Sequence, residues 1–259
     1  MSEKQPAFVT EAIRIVEAAK ENGIILRIMG ACAIRIHCSK KQHILKSKRE
    51  LTDIDLISYS KFAPSMEKFF KSLGYDPLPT ILPRGMSLGR HIYVNKNIGF
   101  TVDVFFDKLE FCHTIDLRGR LELDYPTITL ADLILEKLQI VKIAEKDVLD
   151  LIALFYEHEV GVNDDKEVIN GRYIAKLLSN DWGFYYTVTS NLNKVKSYIQ
   201  TFELITEEER RVVNEKINRL LQLIESEPKS LKWKLRALIG PSIKWYREVE
   251  ASPLEQMKT

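Results

Sequence analysis

Three aspartates interrupt apolar stretches that the sequence otherwise predicts to be buried β-strands. Asp53 and Asp55 lie within Leu51–Tyr59, and Asp103 lies within Gly99–Phe106. Aspartate is depleted in strands, and strands that are apolar on both faces are usually central in a sheet. Residues two apart in a strand point to the same side, so Asp53 and Asp55 are expected to share a face.

Carboxylates side by side in a low-dielectric setting repel each other, and each carries a desolvation penalty of several kcal/mol. Bound cations, basic side chains or an open strand end can compensate for this. Hard divalent cations such as Mg²⁺ take carboxylate oxygens and leave positions open for phosphates, and a pair of them can clamp an in-line phosphoryl displacement. The alternative is that the three acids cap strand ends or pair with Arg and Lys.

The periodicity of the remaining sequence changes once along the chain. Up to about residue 125 it predicts a helix over 7–21, strands at Ile24–Met29 and Arg90–Asn95, a helix starting at Pro64 and a loop over 74–89. Beyond that point only helical patterns are evident: a helix from Thr129 to about Ala144 with Asp132 as its capping acid, one from near Lys146, and others at 170–180 and 206–226. We therefore expect an α/β core with a mixed sheet and flanking helices over 1–125, and a helical lobe over 126–259.

Composition excludes several classes of protein. Lys plus Arg is 38 and Asp plus Glu is 36, so the net charge of +2 allows a polyanion site only as a local patch. Three cysteines cannot form a disulfide framework and fit a reducing compartment. No run approaches the roughly 20 apolar residues of a membrane helix, and the amino-terminal residues do not form a signal peptide. The expected location is cytoplasmic.

A glycine punctuates the first predicted strand. Gly30 follows Ile24–Met29 directly and precedes a short helical pattern. A turn of this kind exposes backbone N–H groups at a helix N-terminus, where an anion can bind. Many such turns carry glycine for backbone reasons only. Gly30 therefore indicates an anion site only in combination with the aspartates that follow it in the sequence.

The order strand, Gly30, helix, then Asp53-Ile54-Asp55, then Asp103 resembles the polymerase-β-type nucleotidyltransferase fold. The chain is also similar to AbiEii-type and related minimal nucleotidyltransferases. The resemblance implies that the Gly30–Ala31 turn holds a nucleoside triphosphate and that the three aspartates bind two Mg²⁺ or Mn²⁺ ions. It implies transfer of a nucleotidyl group to an RNA end, a protein or a small molecule. Some relatives are toxins, so an antitoxin partner is also implied.

The resemblance extends through Leu130–Phe155, where family members carry an inward Lys and then a Lys/Arg-Asp-x-x-Asp-Leu helix. Lys137 matches the first, and Lys146, Asp147 and Asp150 match the second. Lys137 lies on an apolar helical stripe, so it either extends to solvent or meets an anion. In the second case it would reach triphosphate oxygens. Asp147 and Asp150 share a helix face and either orient a cation or are solvated.

One departure weakens the expected chemistry. Ala31 stands where the family has Gly or Ser, so a hydroxyl contact to phosphate is missing. A degenerate module that binds nucleotide or a partner without catalysis is therefore the alternative. Thr52 and Arg90 are the other candidate nucleotide contacts, with an exposed strand end as the alternative for Arg90.

Two further sequence patterns are candidates for binding sites. The basic run over 40–49 is either a solvated loop or a phosphate-backbone contact, and with the carboxyl-terminal basic residues it leaves an RNA-binding protein as a third class. Zinc is not predicted, because His37-Cys38, His43 and Cys112-His113 contain no C-x-x-C pair. Cys32, Trp233 and Trp245 are expected to pack.

Overall fold

The structure of the chain is a computed structural model that describes residues 4–40, 51–78 and 89–249. The described residues divide into two compact units. The first, the sheet unit, comprises residues up to 33 and those between 51 and 128. The second, the helical unit, comprises residues 34–40 and 129–247. Most of the basic run, together with His43, lies outside the described residues.

The sheet unit contains a mixed sheet and flanking helices, as the sequence predicts. Its elements, with α2 ending in the helical unit, are α1 Lys4–Glu21, β1 Leu26–Met29, α2 Gly30–His37, β2 Ile54–Ser58, α3 Ala63–Ser72, β3 Asp76–Pro77, β4 Arg90–Asn95, β5 Phe100–Phe106, β6 Lys108–Glu110 and β7 Thr114–Asp116. The strand order is β1-β2-β5-β4-β3, with β6 and β7 forming a separate pair.

Strand pairing sets the residues that face each other at the centre of the sheet. β2 runs parallel to β5, with Asp55 opposite Asp103. β1 and β4 are antiparallel to these two strands on either side, with Met29 opposite Asp55 and Ile92 opposite Asp103. The mixed α/β fold class is thereby confirmed.

Aromatic contacts attach helices to this sheet. The ring of Phe8 on α1 stacks on Phe100 of β5 with centroids 4.2 Å apart. Phe70 on α3 stacks on Tyr93 of β4 at 4.1 Å. Large fully buried rings each contribute a few kcal/mol of apolar stabilisation, so the strands that carry the aspartates are supported by packed helices.

The helical unit also contains two short strands. Its elements are α4 Leu130–Leu138, α5 Glu145–Glu157, β8 Glu159–Gly161, β9 Val168–Asn170, α6 Gly171–Leu178, α7 Trp182–Thr201, α8 Glu207–Ser226 and α9 Leu231–Ile239. The expectation of helix alone after Phe155 is wrong, because β8 and β9 pair in parallel. Each has three residues, too few for an alternating pattern to be visible in the sequence.

Helix starts agree with the sequence patterns. Thr129 caps α4, accepting a hydrogen bond from the Asp132 N–H while its hydroxyl donates to the Asp132 carboxylate at 2.7 Å. Thr206 and Glu209 form a reciprocal capping box at the start of α8. Trp245 packs within the unit, donating from Nε1 to the Thr187 hydroxyl at 3.0 Å. Among the described residues, no helix is both long and apolar enough to cross a bilayer.

The end of α4 differs from the prediction. The helix stops at Leu138 and not near Ala144, because a buried side chain from a distant helix takes up its terminal carbonyls. The Asn191 amide on α7 donates to the Leu138 carbonyl at 2.9 Å and to the Ile140 carbonyl at 2.8 Å. The last carbonyls of a helix need such partners when they are buried, so the chain turns here.

Asn191→Leu is expected to destabilise the protein by about 2–4 kcal/mol. A buried carbonyl left without a donor, as at Leu138, costs roughly 1–3 kcal/mol, and the half-buried carbonyl of Ile140 costs less. Urea unfolding followed by circular dichroism measures this. Asn193→Leu, an exposed position on the same helix, is the matched control and is expected to change stability little. Equal effects of the two substitutions would contradict the capping role of Asn191.

Candidate active site

Three carboxylates converge at the centre of the sheet unit. Asp53 comes immediately before β2, Asp55 is the second residue of β2, and Asp103 lies in β5. One oxygen of each lies within 4.8 Å of the others. The parallel register of β2 and β5 accounts for Asp55 and Asp103, and the two-residue spacing brings Asp53 to the same side. β2 begins three residues later than the pattern predicts, so Asp53 belongs to the approach to the strand.

Gly30 lies directly against this group of carboxylates. Its φ of +64° falls in the left-handed region, where side chains are disfavoured. A Cβ atom built on Gly30 would stand 2.4 Å from Oδ2 of Asp55, which is closer than real contacts allow. The N-terminus of α2 therefore lies next to Asp55, where the positive end of the helix dipole favours negative charge. Glycine is required at this position because φ is left-handed and because a Cβ atom would clash with the Asp55 carboxylate.

Arg90 pairs with Asp103. Its Nη2 donates to Oδ2 of Asp103, and its guanidinium carbon lies 5.1 Å from the centroid of the Phe105 ring. The expectation of an exposed strand end for Arg90 is wrong, since only 20% of the side chain is exposed. In the antiparallel β4–β5 register, Arg90 faces Phe105 and is the diagonal neighbour of Asp103. The sequence contains a signal for this pair: if β4 and β5 form a hairpin with its turn near Asn97, counting residues back from the turn places Arg90 beside Asp103.

The surroundings of Asp103 act against its ionised form. Burial raises the pKa of the Asp103 carboxyl above its ordinary value, Arg90 opposes this rise, and the negative charge of Asp53 adds to it. An acid whose pKa is raised on folding stabilises the folded chain only while it is protonated. Ionised Asp103 therefore lowers stability as pH rises through its pKa in the folded state, unless a cation compensates.

The donor set fits a hard divalent cation. Oδ1 of Asp103 is buried and accepts no hydrogen bond from the part of the chain that the structure describes. Three carboxylates from two strands supply the oxygen ligands that Mg²⁺ and Mn²⁺ prefer. Asp53, Asp55 and Asp103 are thus the residues that would hold such an ion, and the unused Asp103 oxygen is the observation that favours one.

The smaller predicted residues lie beside the same carboxylates. Thr52 is exposed, and its hydroxyl donates to Oδ1 of Asp53 at 3.1 Å. Ala31 is buried in the first turn of α2. The buried thiol of Cys32 lies 3.8 Å from the Asp53 carbonyl oxygen, so this cysteine packs as predicted.

Lys137 lies in the helical unit and meets carboxylates of that unit. Its Nζ is 3.3 Å from Asp150, 3.4 Å from Asp147 and 3.5 Å from Glu136, and all four residues are buried. The side chain therefore does not extend into solvent, and the two aspartates are not solvated. A role of Lys137 toward a triphosphate stays a prediction.

Comparison with known proteins gives a limited result. No family model matches the chain, and no curated protein matches it. Among solved structures, the antibiotic-resistance factor ANT(2'')-Ia is similar with 14% identity and a TM-score of 0.39, covering 68% of this chain and 95% of that one. An antigenic nucleotidyltransferase-like protein from Paracoccidioides brasiliensis is similar with 12% identity and a TM-score of 0.39, covering 89% and 96%. These values are too low to assign an activity, and the AbiEii-type likeness stays a prediction.

Gly30→Ala is expected to destabilise the protein by more than the roughly 1–2 kcal/mol of left-handed backbone strain, because the new methyl group also displaces the Asp55 carboxylate. Gly23→Ala is the matched control, with a φ of +69° and no described heavy atom within 4 Å of the added carbon. Urea unfolding and Mn²⁺ titration measure both effects. We expect weaker Mn²⁺ binding for Gly30→Ala alone, and identical behaviour of the two variants would contradict the close approach.

Lys137→Met is expected to lower the free energy of unfolding by about 3–5 kcal/mol, because it leaves buried carboxylates without their cation. Lys142→Met, an exposed position, serves as the control in the same urea titrations. Adding Asp150→Asn to Lys137→Met should recover part of the lost stability by removing one of the uncompensated charges. A Lys137→Met variant as stable as the control would contradict the ion-pair cluster.

Proposed function

We propose that this chain is a metal-dependent nucleotidyltransferase that moves a nucleotidyl group from an NTP to an acceptor hydroxyl. The observation that carries the proposal is the convergence of Asp53, Asp55 and Asp103 against the Gly30 turn, with one Asp103 oxygen buried and unused. Like charges are brought together here at a net electrostatic cost. A site that binds divalent cations and a triphosphate accounts for this cost. Three carboxylates with a purely structural role would carry the same cost without a compensating cation.

Each residue has a proposed part in the reaction. Asp53, Asp55 and Asp103 would hold the cations, with Asp53 and Asp55 the ligands proposed for both. Mg²⁺ or Mn²⁺ supplies neutralisation of charge on the phosphates when bound. Asp103 also assists removal of the proton from the attacking hydroxyl.

Other groups position the reactants. Arg90 fixes Oδ2 of Asp103, and Oδ1 accepts no hydrogen bond from the described residues. The N–H groups at Gly30 and Ala31 hold a phosphate at the N-terminus of α2, and Thr52 orients Asp53. A role for Lys137 in neutralising negative charge on the phosphates rests on the sequence resemblance alone. The acceptor oxygen attacks the α-phosphorus, and the bond to pyrophosphate breaks.

Further parts of the proposal rest on the sequence resemblance. The acceptor is an RNA end, a protein hydroxyl or a small molecule, and an antitoxin partner and a cytoplasmic location are included. The competing hypothesis is a degenerate module, favoured by Ala31 in place of a residue with a phosphate contact of its own. Metal-dependent NTP binding without pyrophosphate release would identify that module. Tight RNA binding that falls steeply with salt and needs no Mg²⁺ would indicate the RNA-binding class instead.

Asp53→Asn is expected to lower the rate of nucleotidyl transfer by at least a factor of about 10³, since it removes a ligand proposed for both ions. Incorporation of label from each α-³²P-labelled NTP into total RNA and cell extract, with pyrophosphate release, measures this. Because the substitution removes a like charge beside Asp55 and Asp103, stability in metal-free buffer should be unchanged or slightly higher.

Asp116→Asn provides the matched control for this test. Asp116 is an exposed carboxylate of the sheet unit paired with Arg118, so its loss should leave transfer unchanged. Equal transfer by wild type and Asp53→Asn would show that the reacting site has been assigned wrongly. Absence of transfer by the wild type with every NTP, alongside Mg²⁺-dependent NTP binding, would favour the degenerate module.

A further inference from the structure

A second group of potential ligands lies in the helical unit. His37 is the last residue of α2, His158 follows α5 directly, and Glu167 comes immediately before β9. One ligand atom of each lies within 4.8 Å of the other two. Sequence spacing did not indicate this cluster, because the residues are separated by as many as 130 positions.

The distances from the Glu167 carboxylate to the two imidazoles fit a tetrahedral metal site, and the ligand atoms of the two imidazoles lie within 4.8 Å of each other. Nδ1 of His37 is 3.0 and 3.2 Å from the two carboxylate oxygens of Glu167. Nδ1 of His158 is 3.4 Å from Oε2 of Glu167. Ligands bound to Zn²⁺ at about 2.0–2.1 Å in a tetrahedron are roughly 3.3–3.4 Å from one another. An ion between the three groups therefore requires only small adjustments.

Burial also matches a metal site with one open side. The side chains of His37 and His158 are 4% and 5% exposed, whereas that of Glu167 is 46% exposed. An ion can thus approach past the carboxylate and meet two imidazoles held inside the unit. Three protein ligands with a remaining open position are the arrangement of zinc sites that keep a water or substrate.

Neighbouring contacts hold the imidazoles in place. Sγ of Cys38 lies 4.0 Å from Nε2 of His158, and the His158 ring also forms a hydrogen bond with the backbone of Glu167. These contacts orient the ring of His158, as partners of the second nitrogen do for metal-bound histidines. The Lys40 N–H donates to the Glu157 carboxylate at 3.1 Å and ties the end of α2 to the end of α5.

Glu167 itself adopts an unfavourable backbone conformation. Its φ is +58°, which for a residue with a side chain costs about 1–2 kcal/mol. Non-glycine residues held in this region are concentrated at functional sites. The β8–β9 pair anchors the ends of the loop that presents Glu167 in this conformation.

We propose that His37, His158 and Glu167 form a binding site for a divalent transition-metal ion, with Zn²⁺ the ion that fits them best. Imidazole nitrogen with carboxylate oxygen suits Zn²⁺ and its neighbours in the first transition row, whereas Mg²⁺ prefers oxygen alone. The site is independent of the aspartates and of the proposed nucleotidyl transfer. The alternative is a structural cluster in which the two histidines form hydrogen bonds with Glu167 and no metal ion binds.

The test is metal binding by the full chain. Protein stripped with a chelator is titrated with Zn²⁺ against a chromophoric competitor, and Co²⁺ loading is followed by its d–d absorption. We expect one equivalent of Zn²⁺, a tetrahedral Co²⁺ spectrum and a higher Tm with Zn²⁺ present. Glu167→Gln and His37→Gln should each weaken Zn²⁺ binding by at least about tenfold, with the fold checked by circular dichroism.

Two control variants make the outcome specific. Asp165→Asn removes an exposed charge from the same loop and should leave Zn²⁺ affinity unchanged. Asp53→Asn should also leave it unchanged, which separates this site from the proposed active site. Absence of Zn²⁺ binding, wild-type affinity in both Glu167→Gln and His37→Gln, or loss of the equivalent in Asp53→Asn would overturn the proposal. Failure of nucleotidyl transfer has no bearing on it.

Discussion

The parallel pairing of β2 with β5 is the constraint on which the aspartate site depends. It sets Asp55 opposite Asp103, and a slip of one residue would turn one of the two carboxylates to the other face of the sheet. Apolar burial opposes such a slip, because Ile54, Leu56, Val102 and Val104 are fully buried in the same two strands. Each stabilises the fold by about 1.5–3 kcal/mol, whereas desolvation of a carboxylate costs several kcal/mol. Together the four residues contribute about 6–12 kcal/mol, which exceeds the several kcal/mol for Asp103, the one carboxylate of the three that is buried. The strands therefore impose the proximity of the charges.

The sequence predicted those parts of the site and fold that follow from local patterns. Apolar runs on both sides of Asp55 and Asp103 identified central strands, and the two-residue spacing placed Asp53 with them. The helix start at Thr129 followed from capping chemistry within four residues, and the helix over 206–226 followed from its periodicity. Gly30 was recognised as a turn, although its approach to Asp55 depends on the β1–β2 register and is visible only in three dimensions.

Contacts between distant positions explain what the sequence missed. The end of α4 is decided by Asn191, more than 50 residues away in the chain, and periodicity continues past a helix end that tertiary contacts impose. The exposed strand end, given as the alternative for Arg90, is wrong because the environment of Arg90 depends on hairpin register and not on its own strand. The anions that meet Lys137 were visible in the sequence as Asp147 and Asp150, but that they face the lysine depends on how α4 packs on α5.

The histidine cluster shows the same limit in a sharper form. Zinc was discounted because close spacing of ligands was absent, and close spacing is a property of sites built on a single loop. Here the ligands stand at the ends of α2 and α5 and at the start of β9, so the packing of separate elements replaces spacing in sequence. Donor chemistry then distinguishes the two candidate sites: three carboxylates select a hard cation, and two imidazoles with one carboxylate select a softer one. The two donor sets therefore favour different ions within one chain.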